Sequence, residues 1–122
     1  MTNPFRGELQ VKLGAKSYKT RLTVDSCMRI ESAVGISLVK IAYKLADGEL
    51  TLTQIISVLT PALRGGGLNV TNDEVAKMVY EAGYAEGLKV VGELISNILQ
   101  GHQTDDDTGD AEKKEEPTLL AS

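Results

Sequence analysis

The sequence predicts an α+β domain, mostly helical: an N-terminal β-hairpin packed on about five short helices, followed by a disordered acidic tail. Three observations carry this. Apolar residues alternate with polar ones over Glu8 to Leu13 and again over Tyr18 to Leu22, then recur at three- and four-residue spacing from Val24 to Leu99. Helix caps and glycines cut that helical stretch into pieces. The charge also changes along the chain: residues 1–100 hold ten acidic and eleven basic side chains, residues 101–122 seven acidic and two basic. At 122 residues the chain has about one domain's length. The expected boundaries are a folded domain over 1–100, with the hairpin at 6–23 and the helices at 24–100, and a tail over 101–122.

In the first strand Leu9, Val11 and Leu13 share one face, since successive side chains of a strand point to opposite sides. Gly14-Ala15-Lys16-Ser17 supplies the turn, and Tyr18, Thr20 and Leu22 alternate with Lys19 and Arg21 on the way back. One hairpin face is apolar and the other basic, with Lys12, Lys19 and Arg21. A two-stranded sheet is marginal in water, so helices are expected to cover its apolar face.

Helix one starts at about Val24 behind a Thr23 or Asp25 cap, carries Cys27, Ile30 and Val34, and stops at Gly35. Ser37 caps helix two, whose Leu38, Ile41, Ala42 and Leu45 form one stripe before Asp47-Gly48. Thr51 and Gln54 have the spacing of a capping box, in which two side chains reciprocally satisfy the free N–H groups of a helix start. Helix three bears Leu52, Ile55, Ile56, Leu59 and Leu63, and Pro61 inside it is expected to bend or break it near Ser57. Arg64-Gly65-Gly66-Gly67 reads as a flexible loop. Thr71-Asn72-Asp73-Glu74 is a second capping box and opens helix four, which runs to about Ala82. Gly83 and Gly87 flank Tyr84, and Leu88, Val91, Leu94, Ile95, Ile98 and Leu99 make helix five the longest or best packed.

Residues 101–122 carry Asp105-Asp106-Asp107, Asp110, Glu112 and Glu115-Glu116 and no large apolar side chain before Leu119. Such a segment cannot bury enough surface to offset its ordering entropy. It is expected to be disordered, with Leu119-Leu120 a short docking motif or simply part of an unstructured end.

Composition excludes several function classes. Nucleic-acid binders concentrate Lys and Arg on one face, and a body near neutrality supplies no such field. No Trp and one Phe leave few rings for stacking bases. A single Cys cannot close an internal disulfide, and no Cys/His spacing suits a metal. No run of about 18 apolar residues indicates a membrane span, and the N-terminus lacks a signal-peptide core. A cytoplasmic protein without nucleic acid, membrane or cofactor is the expectation. The glycine triplet follows a helix and lacks the Lys-Ser/Thr of a phosphate-binding loop. His102 borders the tail, where no third group can fix it as a catalytic base. Cys27 sits on an apolar stripe as a small hydrophobe, and Glu31, Glu81, Glu86 and Glu93 fall on solvated helix faces without forming an acid/base pair.

Interaction surface remains. Candidate partner-binding residues are Arg64, Gly65, Gly66, Gly67, Leu68 and Val70 in the expected loop, and Leu119 and Leu120 in the tail, because burial in a monomer does not evidently account for the apolar members. The basic hairpin face and the acidic tail add charge for partners or for each other.

The order of several short blocks resembles a known family. These are Asn3-Pro4-Phe5-Arg6-Gly7-Glu8, Tyr18-Lys19-Thr20-Arg21-Leu22-Thr23, Ile30-Glu31-Ser32-Ala33-Val34-Gly35, Leu45-Ala46-Asp47-Gly48-Glu49-Leu50, and Leu63-Arg64-Gly65-Gly66-Gly67 with Thr71-Asn72-Asp73-Glu74-Val75. Over about residues 3–100 the chain is similar to the small tail proteins of gene transfer agents and related siphophages, which are grouped with phage tail assembly chaperones. Pro61 and the acidic tail depart from that pattern. The resemblance implies a non-enzymatic assembly factor of the bacterial host cytoplasm that binds the tape measure protein, helps recruit tail tube protein, and has no catalytic residues; homo-oligomers are also compatible. The alternative is a structural tail protein, a tube or completion component retained in the virion. A helix-turn-helix regulator is disfavoured by the near-neutral body.

Overall fold

Alternation in the sequence becomes a hairpin in the computed structural model, which describes residues 8–100. Strand β1 (Glu8–Leu13) pairs antiparallel with β2 (Lys16–Arg21), setting Leu9 opposite Thr20, Val11 opposite Tyr18 and Leu13 opposite Lys16. Five helices follow: α1 (Val24–Val34), α2 (Leu38–Ala46), α3 (Leu52–Gly65), α4 (Asn72–Ala82) and α5 (Tyr84–Leu99). Asn3 to Gly7, His102, the expected tail over 101–122 and its Leu119 and Leu120 lie outside the described residues.

The hairpin's apolar face is buried as its pattern requires. Val11, Leu13 and Leu22 enter the core, and buried Thr20 donates its hydroxyl to the Leu9 carbonyl at 2.6 Å. The turn is tighter than expected: Gly14 adopts φ 68° and pairing resumes at Lys16, so Lys16 and Ser17 belong to β2. On the other face Lys12 and Lys19 are exposed, with Glu8 Oε2 3.9 Å from Lys19 Nζ. An ion pair that long, with its lysine mostly in solvent, contributes little.

Local chemistry sets the helix starts. The Thr23 hydroxyl accepts from Ser26 N–H for α1, and Ser37 from Lys40 N–H for α2. Complete capping boxes open α3 (Thr51 with Gln54) and α4 (Thr71 with Glu74). Gly35, with φ 87°, closes α1 in the left-handed conformation. Helix α5 has no side-chain cap; instead, the Tyr84 hydroxyl donates to the Leu50 carbonyl and moors its first turn.

Helix α3 is the hub, touching β2, α1, α4 and α5, while α5 touches β1, α2, α3 and α4. Helices α3, α5 and, at the Gly14 end, α4 therefore all meet the hairpin. Their shared core includes Ile41, Leu50, Ile55, Val58, Leu59, Leu63, Val75, Val79, Val90, Val91, Leu94 and Ile95. Each such side chain contributes about 1.5–3 kcal/mol by leaving water. Pro61 does not break α3, which continues from Leu52 to Gly65. Val58, Leu59, Ala62 and Leu63 are buried on both sides of it, and packing on four neighbours outweighs the roughly 3 kcal/mol that an internal proline costs.

Candidate partner-binding surface

The glycine triplet is a fitted junction. Gly65 is the last residue of α3 and Gly66 its cap. A Cβ on Gly65 would lie 2.1 Å from the Arg21 carbonyl oxygen, and one on Gly66 2.0 Å from that of Lys19. Two glycines thus let the end of α3 rest directly on the β2 backbone. Gly67 meets the other need, a left-handed φ of 105°. The N–H of Leu68 returns to the Leu63 carbonyl at 3.0 Å, and Arg64 Nε donates to the Val70 carbonyl at 2.7 Å.

Of the candidate residues, Arg64 and Val70 are brought together, Gly65 and Gly66 face the hairpin, and Leu68 is at the surface, 36% exposed. The expectation that burial leaves Val70 unexplained is corrected: it is only 9% exposed and belongs to the core. The expected free loop is likewise replaced by a helix end stacked on a strand. Local sequence could not reveal this, because the contact joins segments more than forty positions apart.

Two other singled-out residues gain definite roles. Glu31 does more than solvate a face, since its Oε2 accepts from the Leu38 N–H at 2.9 Å and so caps α2 from α1. Partial burial, and secondarily the Glu31 charge, push the Cys27 thiol up from its ordinary value. A thiol held protonated is a poor nucleophile.

A second surface lies between α2 and α5. An open apolar groove of about 660 Å³ is lined by Ala42, Leu45, Leu88, Gly92, Ile95 and Leu99, among others, with Lys89 also at its wall. Its α2 wall consists of Ala42, Leu45 and Ala46. Ile41 faces the core, whereas Val39 and Tyr43 stand 49% and 67% exposed. On α5, Gly92 keeps the floor low, and a Cβ there would meet nothing within 4 Å. Gly87 differs: a Cβ would come 3.1 Å from Val79 Cγ1 and 3.3 Å from Ile55 Cγ2, so close helix packing explains that glycine. The monomer's packing does not explain Gly92, which costs α5 about 1 kcal/mol relative to alanine. Sequence reading missed this groove, whose signal is the internal Gly92 on α5.

Among the described residues no three His, Cys, Asp or Glu side chains gather as a metal site would require, and no helix is long and apolar enough to cross a membrane. The hairpin-and-helix domain coincides with the reach of a family model described as phage tail tube protein, GTA-gp10, which matches residues 6–101. The chain belongs to this phage tail family. Membership covers both strands and all five described helices, so the Gly65–Gly67 junction and the α2–α5 groove both fall within the family domain. Neither a curated protein nor a solved structure matches the chain.

Proposed function

We propose that the protein serves the building of a phage or gene-transfer-agent tail as a non-enzymatic structural component, a tube or completion subunit that binds other tail polypeptides or further copies of itself. The observation that carries this reading is the family match, whose description names a tail tube protein and which spans the whole folded domain. Assembly takes place in the host cytoplasm. The surface complements that role: exposed Val39, Tyr43, Leu68 and Leu99 offer apolar area to neighbours.

A second reading is favoured by one feature. An open groove between two helices, apolar along its floor, suits the apolar stripe of an amphipathic helix. A tail assembly chaperone that shields tape measure helices and recruits tube subunits uses such a groove and leaves before the particle is finished. Quantitative mass spectrometry of purified particles tests the proposal. A structural subunit appears at a copy number that is a whole multiple of the tail's ring symmetry; absence, or a few copies per hundred particles, refutes the structural reading and leaves the chaperone.

A further inference from the structure

We infer that the outer edge of β1 docks a second copy of the chain, the two β1 strands pairing antiparallel about Gln10 so that two hairpins form one sheet of four strands. This inference rests on the hairpin and not on the tail reading above, and it stands whether or not the protein stays in the particle. Backbone direction supplies the first argument. The two-residue turn Gly14-Ala15 makes Leu13 and Lys16 the closing hydrogen-bonded pair of the hairpin, so Leu9, Val11 and Leu13 direct their N–H and C=O groups to β2. Those of Gln10 and Lys12, which alternate with them, point outward. Among the described residues the sheet has no third strand, and no hydrogen bond reaches the outward groups of Gln10 or Lys12.

The difference between the two edges supplies the second. On β2 the carbonyls of Lys19 and Arg21 lie under the end of α3, so close that Gly66 and Gly65 have no room for a Cβ. Covered in this way, that edge is closed to another strand. Beside β1 there is instead an open cleft of about 330 Å³, between Leu9 and Gln10 on the strand and Ser96, Asn97 and Gln100 on α5. Leu9 stays half-buried there, although it shares the apolar face with buried Val11 and Leu13.

Charge names the occupant. The strand reads Glu8-Leu9-Gln10-Val11-Lys12, which complements its own reverse. Pairing centred on Gln10 sets Lys12 opposite Glu8 of the second copy and Leu9 opposite its Val11, so opposite charges meet on the solvent face and apolar side chains on the core face. Centring the pair on Lys12 or on Glu8 would set two like charges against each other. Glu8 also keeps its place near Lys19, whose Nζ is 3.9 Å from its Oε2, so the carboxylate comes to lie between two lysines. Because the β2 edges are closed, assembly stops at the pair; a hairpin with two open edges would extend into a fibre.

Analytical ultracentrifugation and amide hydrogen exchange on the full chain test this. The expected result is a dimer mass at high concentration with the Gln10 amide protected, and exchange on the order of tenfold faster once dilution yields the monomer. The Val11 amide, bonded to β2, should keep its protection throughout. Gln10→Pro removes only an outward N–H, which a sheet edge tolerates, and should abolish the dimer with helical circular dichroism unchanged. Lys12→Glu and Glu8→Lys should each weaken self-association about tenfold, and an equimolar mixture of the two should recover the dimer, because each variant supplies the charge that the other lacks. That recovery holds the inference to account even if the proline variant misfolds. A monomeric mass at every concentration overturns it. So does a dimer whose Gln10 amide exchanges freely or that survives Gln10→Pro, which would move self-association to another face such as the α2–α5 groove. Gln10 protection in a monomer, unaffected by dilution, overturns it too and puts another segment of the same chain on the edge. None of these outcomes decides the tail role, which particle composition tests separately.

Discussion

Replacing Gly65 or Gly66 by alanine should destabilise the domain because of where α3 meets β2. Neither residue is excluded from alanine by its backbone: Gly65 is helical and Gly66 has φ −83° and ψ −1°. Only the neighbour objects. The added methyl would begin 2.1 or 2.0 Å from a backbone carbonyl oxygen, so helix and strand must part by about 1 Å, enough to forfeit a quarter to a half of the dispersion between them. Forced overpacking of this kind costs about 1–3 kcal/mol, and at Gly65 the better helix propensity of alanine returns about 1 kcal/mol. Gly66→Ala is therefore the cleaner and larger loss. Gly92→Ala is the internal control, since its methyl enters open space and should stabilise the fold by about 0.5–1 kcal/mol. In a thermal melt of a domain this size each kcal/mol moves the midpoint by roughly 4–8 °C. Opposite signs at Gly66 and Gly92 are expected. A Gly66→Ala midpoint equal to or above that of the unaltered protein refutes the seating of α3 on the hairpin.

Three further outcomes follow from single groups. The Thr60 hydroxyl is buried with no hydrogen-bond partner among the described residues, so Thr60→Val, which keeps the shape and removes the stranded polar group, should raise stability by about 1 kcal/mol in urea titration. Glu31→Ala removes the acceptor at the start of α2 and should cost about 0.5–2 kcal/mol by the same measurement, in the range of lost helix caps. Cys27, its thiol pushed up by partial burial and then by Glu31, should alkylate more slowly than a free thiol near pH 8, and Glu31→Gln should narrow that gap. The sign for stability is that of a raised folded value: the contribution is complete below the unfolded thiol's pKa of about 8.5 and is lost as pH climbs through the folded one.

What could be read from the chain alone was whatever is decided within a few residues. Thr51 with Gln54 and Thr71 with Glu74 announce α3 and α4 because a capping box is built from four consecutive positions. Gly35 stops α1 and alternation exposes the hairpin for the same reason. Long-range packing decided the rest. Pro61 carries a local signal to break, but neighbours on four sides hold α3 together. Gly65 and Gly66 look like freedom in one dimension and are tight contact in three. Val70 seemed a surface apolar residue until the core closed over it. The α2–α5 groove pairs Ala42 with Gly92 across fifty positions, a juxtaposition that no periodicity encodes.

As proposed, this member of a phage tail family acts through its surface on other tail polypeptides. The most direct measurement is co-purification of the affinity-tagged full chain from cells expressing the tail proteins of the same genome, with the complexes sized by light scattering. The expected result is that a tail polypeptide, or several copies of the chain, travels with the tag in fixed stoichiometry. A chain that elutes alone and monomeric while every tail protein is soluble and present would contradict it.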